Sequence, residues 1–177
     1  DLLDIGTGTG RMLEVLAPSA DRAEGLDRSR SMLAIARANL GRLNLEHCNV
    51  RHGDMYDLPF SDRSFDTILF HQVLHYADDP EFAVEEAVRT LRPEGRILIV
   101  DCAPHGVEEL RRDHAHRRLG FPAAEVEGWL KRCELRAVRT RHLKGDPLTV
   151  SLWLAEKPAR RATRGTSTAA PLPSSPL

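Results

Sequence analysis

Asp4-Ile5-Gly6-Thr7-Gly8-Thr9-Gly10 decides the fold. It closes the apolar run Asp1-Leu-Leu-Asp-Ile5 and precedes Met12, Leu13, Leu16 and Ala17, whose spacing is helical as far as Pro18. A short apolar run before a glycine-rich turn suits a strand buried on both faces. Glycines allow the backbone close to a ligand. The helix start behind them offers free N–H groups, which suit a carboxylate. Asp4 stands where a carboxylate meets a ligand's ammonium, directly or through water. The spacing is G-x-G-x-G: Arg11 and Leu13 occupy the places where a dinucleotide G-x-G-x-x-G would have its third glycine. No Gly-Lys-Ser/Thr follows, so the turn is not a Walker loop.

Outward from this turn, strand and helix signals alternate. Ala23 to Leu26 reads as a second strand closed by Asp27. Ser29 caps a helix carrying Met32, Leu33, Ala36, Leu40 and Leu43 at helical intervals. Asn49 to His52 is a third strand and Phe65 to Phe70 a fourth. Asp79-Pro80 opens a helix with Val84, Ala87, Val88 and Leu91 on one stripe. Pro93-Glu-Gly95 stops it, and Arg96 to Asp101 forms a fifth strand. Val107 to Leu119 and Ala123 to Cys133 read as helices. Leu135 to His142 and Leu148 to Ala155 read as strands joined by Gly145-Asp-Pro147, an antiparallel pair. The expected architecture is α/β: a seven-stranded, mostly parallel sheet with helices on both faces and a C-terminal antiparallel hairpin.

Two acids sit at strand ends. Asp27 follows the second strand, 17 residues past Gly10, where a carboxylate accepts from both ribose hydroxyls of an adenosine ligand. Asp54 follows the third strand and is placed to accept from an adenine amine, with Met55 and Leu58 against the ring. His71 and His75 flank the end of the fourth strand. His71 is the candidate base or ligand-lining group, with Gln72 beside it, whereas His75 reads chiefly as support. Trp129 and Trp153 read as core or sheet-edge packing.

Asp4 to Gly10, Asp27, Asp54-Met-Tyr-Asp-Leu-Pro-Phe60, Phe65-Asp66 and Leu91-Arg-Pro-Glu-Gly95 together resemble the class I S-adenosylmethionine-dependent methyltransferases, in particular the superfamily that includes ubiquinone-biosynthesis enzymes. The resemblance covers roughly residues 1 to 101. It implies a Rossmann-like fold with S-adenosylmethionine bound by Asp4, Gly6, Thr7, Gly8, Gly10, Asp27, Arg28, Met32, Gly53, Asp54, Met55 and His71, and with methyl transfer to a small-molecule acceptor. Glu94 stands where that pattern more often has glycine. Phe70-His-Gln-Val-Leu-His-Tyr76 and His114-Ala-His-Arg-Arg-Leu-Gly-Phe121 further resemble bacterial fusions of an ArsR-type winged-helix repressor to a methyltransferase domain. That likeness implies a preceding DNA-binding module. It leaves a second reading open, in which the domain senses the cofactor or its demethylated product without turnover. A nicotinamide-dependent reductase is the third reading, and the glycine spacing weighs against it.

The 177 residues suit one domain, and 41% apolar with 29% charged residues is ordinary globular composition. The net charge is −1. Residues 158 to 177 carry Arg160, Arg161 and Arg164 without an acid, which leaves −4 on residues 1–157. An acidic body argues against direct nucleic-acid binding by this chain. The Pro-, Ser- and Thr-rich end from 158 reads as a disordered tail, leaving 1–157 as the folded domain. Asp1 falls at the edge of the first strand, so an N-terminal part of the natural protein is read as missing. No apolar run is long enough for a membrane span and no leader is visible, which makes the cytoplasm the simplest expectation. Cys48, Cys102 and Cys133 are dispersed and fit neither a zinc site nor the cysteine triad expected of arsenic methylation. His114 and His116 point apart on a helix, so no metal is expected. Arg111, Arg112, Arg117 and Arg118 read as a solvated helix face.

Overall fold

The computed structural model describes residues 1–159, so nearly all of the tail expected at 158–177 lies outside the described residues. The strands are β1 (Leu2–Ile5), β2 (Ala23–Asp27), β3 (Cys48–His52), β4 (Phe65–His71), β5 (Leu91–Cys102), β6 (Arg136–Leu143) and β7 (Val150–Glu156). They form one seven-stranded sheet in the order β3-β2-β1-β4-β5-β7-β6. The β1 to β5 pairings are parallel, and β7 runs antiparallel to both β5 and β6. The alternating strand and helix signals and the closing hairpin therefore fold as expected. Strand order reverses between β1 and β4, so the loops that follow these strands diverge and open a crevice at their carboxyl ends. The glycine turn lies at that crevice.

Among the described residues five α-helices connect the strands: α1 (Arg11–Leu16), α2 (Arg30–Arg42), α3 (Pro80–Thr90), α4 (Glu109–His114) and α5 (Ala123–Arg132). Ser29 Oγ accepts from Met32 N at 3.3 Å and Asp79 Oδ1 from Phe82 N at 3.0 Å, so both expected caps form. Alternation along β1 sends Leu2 to one face and Leu3 and Ile5 to the other. Leu2 packs with Leu13 of α1 and Leu40 of α2. Leu3 and Ile5 join Val84 and Ala87 of α3, Val126 and Trp129 of α5, and Trp153 of β7. Helices thus cover both faces, and both tryptophans are core. Among the described residues no helix is long and apolar enough to cross a membrane.

Two expected elements differ. The helix expected over Val107 to Leu119 shrinks to α4, which buries none of its residues and ends at Ala115 with φ 55°. A charged helix with no apolar stripe to bury gains little from tertiary packing. The fifth strand starts at Leu91, not Arg96, and runs through Pro93-Glu94-Gly95 as a bulge against β4. Within that bulge Glu94 has φ 65°, which is the physical reason glycine suits the position. A left-handed L-residue costs about 1–2 kcal/mol, and glycine's greater unfolded-state entropy returns about 0.5–1 kcal/mol of that. Glu94→Gly is therefore expected to stabilise the fold by about 0.5–1 kcal/mol, a rise of about 1–4 °C in a calorimetric melting midpoint. A lower midpoint would show that strain at this bulge is not what Glu94 contributes.

Candidate functional site

The turn after β1 is fastened to the end of β2 through its backbone. Gly6 N and Thr7 N both donate to Leu26 O, at 2.8 and 3.0 Å. Gly6, Gly8 and Gly10 have φ of 76°, 54° and 80°. At Gly6 space is as restrictive as the dihedral: a Cβ there would lie 2.2 Å from Val73 Cγ2, in the segment after β4. Asp27 completes the fastening. Gly8 N donates to its Oδ2 and Ser29 N to its Oδ1, both at 2.8 Å. One carboxylate therefore ties the glycine turn to the start of α2. Each oxygen keeps acceptor capacity for a further donor.

Asp4 is buried beside this turn. Thr7 Oγ1 donates to its Oδ2 at 2.6 Å, while Oδ1 is buried without a partner among the described residues. Burial pushes the Asp4 pKa up to about 6, the Thr7 hydroxyl counters part of that rise, and the nearby Asp27 charge adds to it. A buried acceptor lacking a donor is costly, and an ammonium donor would satisfy it.

The third wall comes from the segment after β3. Asp54 Oδ1 accepts from Tyr56 N at 3.1 Å, an Asx-type turn that sets the direction of Met55. Tyr56 Oη then accepts from Asp78 N and Asp79 N at 2.8 and 3.0 Å, and its ring stacks on Phe82 with centroids 6.0 Å apart. This tyrosine locks the segment after β3 to the segment after β4.

Together these segments enclose a cavity of about 400 Å³. Of the expected site residues, Gly6, Gly8, Asp27, Arg28, Met32, Gly53 and Met55 line it, joined by Leu26, Ser29, Tyr56, Gln72, Val73, Tyr76, Ala77 and Asp78. Asp4, Thr7, Gly10, Asp54 and His71 are not on its wall. Asp4 and Thr7 are buried and bonded to one another. Gly10 is the N-cap residue ahead of α1 and packs close to Ala36. Leu58, expected beside Met55 against a ring, is buried in the core instead. Met32 departs from the core stripe of its helix, being 44% exposed at the cavity edge.

His71 ends β4, half-buried, and burial holds its pKa below the usual histidine range despite the opposing pull of Asp101. Its neighbour Gln72, at φ 54°, turns onto the cavity wall. Cys102 Sγ donates to Gln72 Oε1 at 3.7 Å. His75 is a supporting residue, buried at 2% exposure. Its Nδ1 lies 2.8 Å from Asp101 Oδ1, and its ring stacks on His116 with centroids 3.9 Å apart. Since a carboxylate only accepts, Nδ1 carries the proton. Asp101 also accepts from Cys102 N at 2.7 Å and His75 N at 3.3 Å. The carbonyl of His75 accepts from Arg117 N at 2.9 Å and Arg118 N at 3.2 Å. Asp101 and His75 thus hold Tyr76, on the cavity wall, against the 115–118 segment.

Sequence reasoning missed this pairing because its partners are 26 residues apart with no local signature. It also missed Tyr56, Tyr76 and Asp78. The arginines of the 111–118 segment divide among surface ion pairs: Arg111 with Glu108, Arg112 with Asp113, Arg117 with Asp78 and Arg118 with Glu125. Among the described residues no group of three or more His, Cys, Asp or Glu is placed to hold a metal ion.

The family described as "Methyltransferase domain" matches residues 3–99, more than half of the chain. The uncharacterized methyltransferase YcgJ of Bacillus subtilis is 33% identical over 100 residues, covering 56% of this chain and 40% of YcgJ. A demethylmenaquinone methyltransferase of Clavibacter sepedonicus is 33% identical over 113 residues, 64% of this chain and 45% of the relative. The matched region thus spans less than half the length of these curated relatives. Among solved structures, YcgJ superposes with a TM-score of 0.78 at 22% identity, covering 90% of this chain and 92% of that one. Phosphoethanolamine N-methyltransferase 2 of Haemonchus contortus, solved with S-adenosyl-L-methionine, superposes with a TM-score of 0.76 at 17% identity, covering 89% of this chain and 48% of that one. Both superpositions describe a shared fold.

Proposed function

The chain belongs to the methyltransferase domain family, and on that premise we propose that it binds S-adenosylmethionine in the cavity between the glycine turn, Asp27 and Met55 and transfers a methyl group to a small-molecule acceptor. The cofactor, when bound, supplies a methyl group on a sulfonium, already an excellent leaving group. The protein's share of the work is alignment and exclusion of water.

The observation that carries this reading is the Asp27 carboxylate. Two backbone N–H groups fix it at the cavity wall, and its remaining lone pairs are free for the paired hydroxyls of a ribose. The chain's residues fit the rest of the ligand in kind. The unpartnered Asp4 Oδ1 suits an ammonium, and the bend at Gly6 to Gly10 with the α1 start suits the neighbouring carboxylate. Gly53 and Met55 line the cavity with Leu26, an apolar stretch suited to adenine, and Asp54, between them in sequence but off the cavity wall, is assigned its exocyclic amine. Arg28 and Met32 border the same cavity. His71, whose pKa burial holds below the usual histidine range, is assigned the proton of any acceptor that carries one; His71→Ala that keeps cofactor affinity but loses transfer would support that role, and unchanged transfer would remove it.

Calorimetry with S-adenosylhomocysteine and with NAD tests the cofactor, and label transfer from methyl-labelled S-adenosylmethionine into a cell extract tests turnover. Micromolar binding of S-adenosylhomocysteine with transfer supports the enzyme. Binding without any transfer favours the sensing role, and preference for NAD overturns both. The proposed winged-helix partner rests on the Phe70–Tyr76 and His114–Phe121 resemblance, and the coding sequence upstream of Asp1 tests it.

A pH dependence follows from Asp4. In the unfolded chain it ionises near 3.8, and in the fold near 6. Its neutral form is the one the fold favours, so its contribution to stability is full below 3.8 and fades as pH rises through about 6. A ligand ammonium favours the ionised form instead. Between pH 5 and 7 the ionised fraction climbs from about a tenth to about nine tenths, so S-adenosylhomocysteine affinity is expected to rise about tenfold, with proton release below pH 6. Asp4→Asn should flatten the profile. A flat profile in the native chain would remove Asp4 from the site.

A further inference from the structure

We propose that one edge of the sheet, strand β6, is a docking site for an acidic polypeptide segment that adds to it as an extended strand. Strand β6 pairs with β7 on one side only, so among the described residues its other backbone edge is open. Along it Arg136, Arg139 and Arg141 are exposed, and Lys144 follows just beyond its end. None of these four has a carboxylate within ion-pairing distance among the described residues. The opposite edge of the sheet is treated differently. There Arg51 of β3 is paired with Glu24 at 3.4 Å. The chain neutralises the cation on one edge strand and leaves those on the other unpaired.

Charge along the chain reinforces the contrast. Residues 131–159 hold seven Lys or Arg against three acids, a net +4, whereas residues 1–130 carry −8. Thr140 and His142 are engaged on the face that meets α5 and the buried side of β7, bonded to Glu127 at 2.7 Å and Ser151 at 2.9 Å. Arg139 and Arg141, opposite Leu154 and Leu152 in the ladder, share the other face with Leu143, which is 58% exposed. Residues two apart on a strand are about 6.6–6.8 Å apart. An added strand presents its own alternate side chains at the same interval, so Glu or Asp at every second position faces Arg139 and Arg141 directly. A row of like charges also blocks pairing with a second β6, which guards the edge against copies of itself. The bulge between Arg136 and Arg139 confines regular pairing to the stretch from Arg139 to Leu143. An acidic strand meets both the open backbone and the charge; this is strand addition to a sheet edge with arginines setting the choice of partner.

The test uses the whole 177-residue chain. It is titrated with a fluorescein-labelled ten-residue peptide of alternating Glu and Val, with the same peptide carrying Lys for Glu, and with a single-stranded oligothymidylate. Anisotropy and amide hydrogen exchange are read together. The expected result is salt-sensitive binding of the Glu peptide alone, slowed exchange at residues 139–143, and about a tenfold loss of affinity in Arg139→Glu/Arg141→Glu. The milder Arg139→Gln/Arg141→Gln pair should lose about half of that on a logarithmic scale, and neither pair should change S-adenosylhomocysteine affinity. Exchange at 139–143 that does not slow under saturating Glu peptide overturns the proposal, as does binding indifferent to both variants. Tighter binding of the oligothymidylate than of the Glu peptide would overturn the choice of an acidic polypeptide.

Discussion

Replacing Asp27 by alanine is expected to weaken S-adenosylhomocysteine binding at least a hundredfold while the chain still folds. Hydrogen bonds to a charged group contribute about 1.5–3 kcal/mol each, and 1.4 kcal/mol is tenfold in affinity. Losing the carboxylate removes the proposed contacts to both ribose hydroxyls. It also frees Gly8 N and Ser29 N, which it holds at 2.8 Å, so the glycine turn loses its tie to α2. Because Asp27 is only partly buried, the two freed N–H groups reach water and the cost to folding stays modest. Calorimetric titration beside a thermal melt separates the two effects. Asp27→Asn keeps one oxygen acceptor and should lie between the native chain and the alanine variant. Native-like affinity in Asp27→Ala would mean that the ligand lies elsewhere.

The second large effect is expected at Gly6. An alanine Cβ there meets Val73 Cγ2 at 2.2 Å and Val73 Cβ at 2.6 Å, with φ at 76°. Left-handed strain costs about 1–2 kcal/mol and overpacking about 1–3 kcal/mol. Gly6→Ala is therefore expected to destabilise the fold by about 3 kcal/mol, lowering the melting midpoint by about 6–12 °C. Gly8 is the control. It shares the left-handed backbone, with φ 54°, but a Cβ there meets nothing within 4 Å. Gly8→Ala should cost about 1–2 kcal/mol of stability from the backbone alone, yet reduce cofactor affinity because Gly8 lines the cavity. Equal destabilisation by the two substitutions would contradict the packing at Val73.

What the sequence revealed and what it concealed divide along physical lines. Signals that act within a few residues were legible. Ser29 and Asp79 cap the helices they precede because a hydroxyl or carboxylate three residues ahead of a free N–H is a local arrangement. The glycine turn, Asp27, Gly53 and Met55 stand at the ends of strands whose order is fixed by topology, so their convergence was readable before any contact was known. Contacts made across the fold were not. The pairing of His75 with Asp101 and the double acceptance by Tyr56 Oη join residues more than 20 positions apart, and nothing in the local sequence marks them. Helix α4 was overestimated because charged residues favour helix by propensity, and its lack of an apolar stripe had more weight. The strand start at Leu91 was hidden because Pro93-Glu-Gly95 reads as a stop, while the chain absorbs it as a bulge.

The arrangement also explains why rigid support surrounds the cavity wall. Asp101, completely buried, anchors β5 to the segment after β4 through His75, and Tyr56 anchors the segment after β3 to the same place. Three strand ends are thereby held in one geometry on the cavity side of the sheet, which is what alignment of a methyl donor requires.

The most direct measurement is a crystal structure of this chain with S-adenosylhomocysteine. It is predicted to show Asp27 accepting from both ribose hydroxyls, adenine against Met55, and the amino-acid end over Gly6 to Gly10 with its ammonium reaching Asp4, directly or through a water. Electron density for the ligand outside this cavity, or inside it with the ribose away from Asp27, would contradict the assignment.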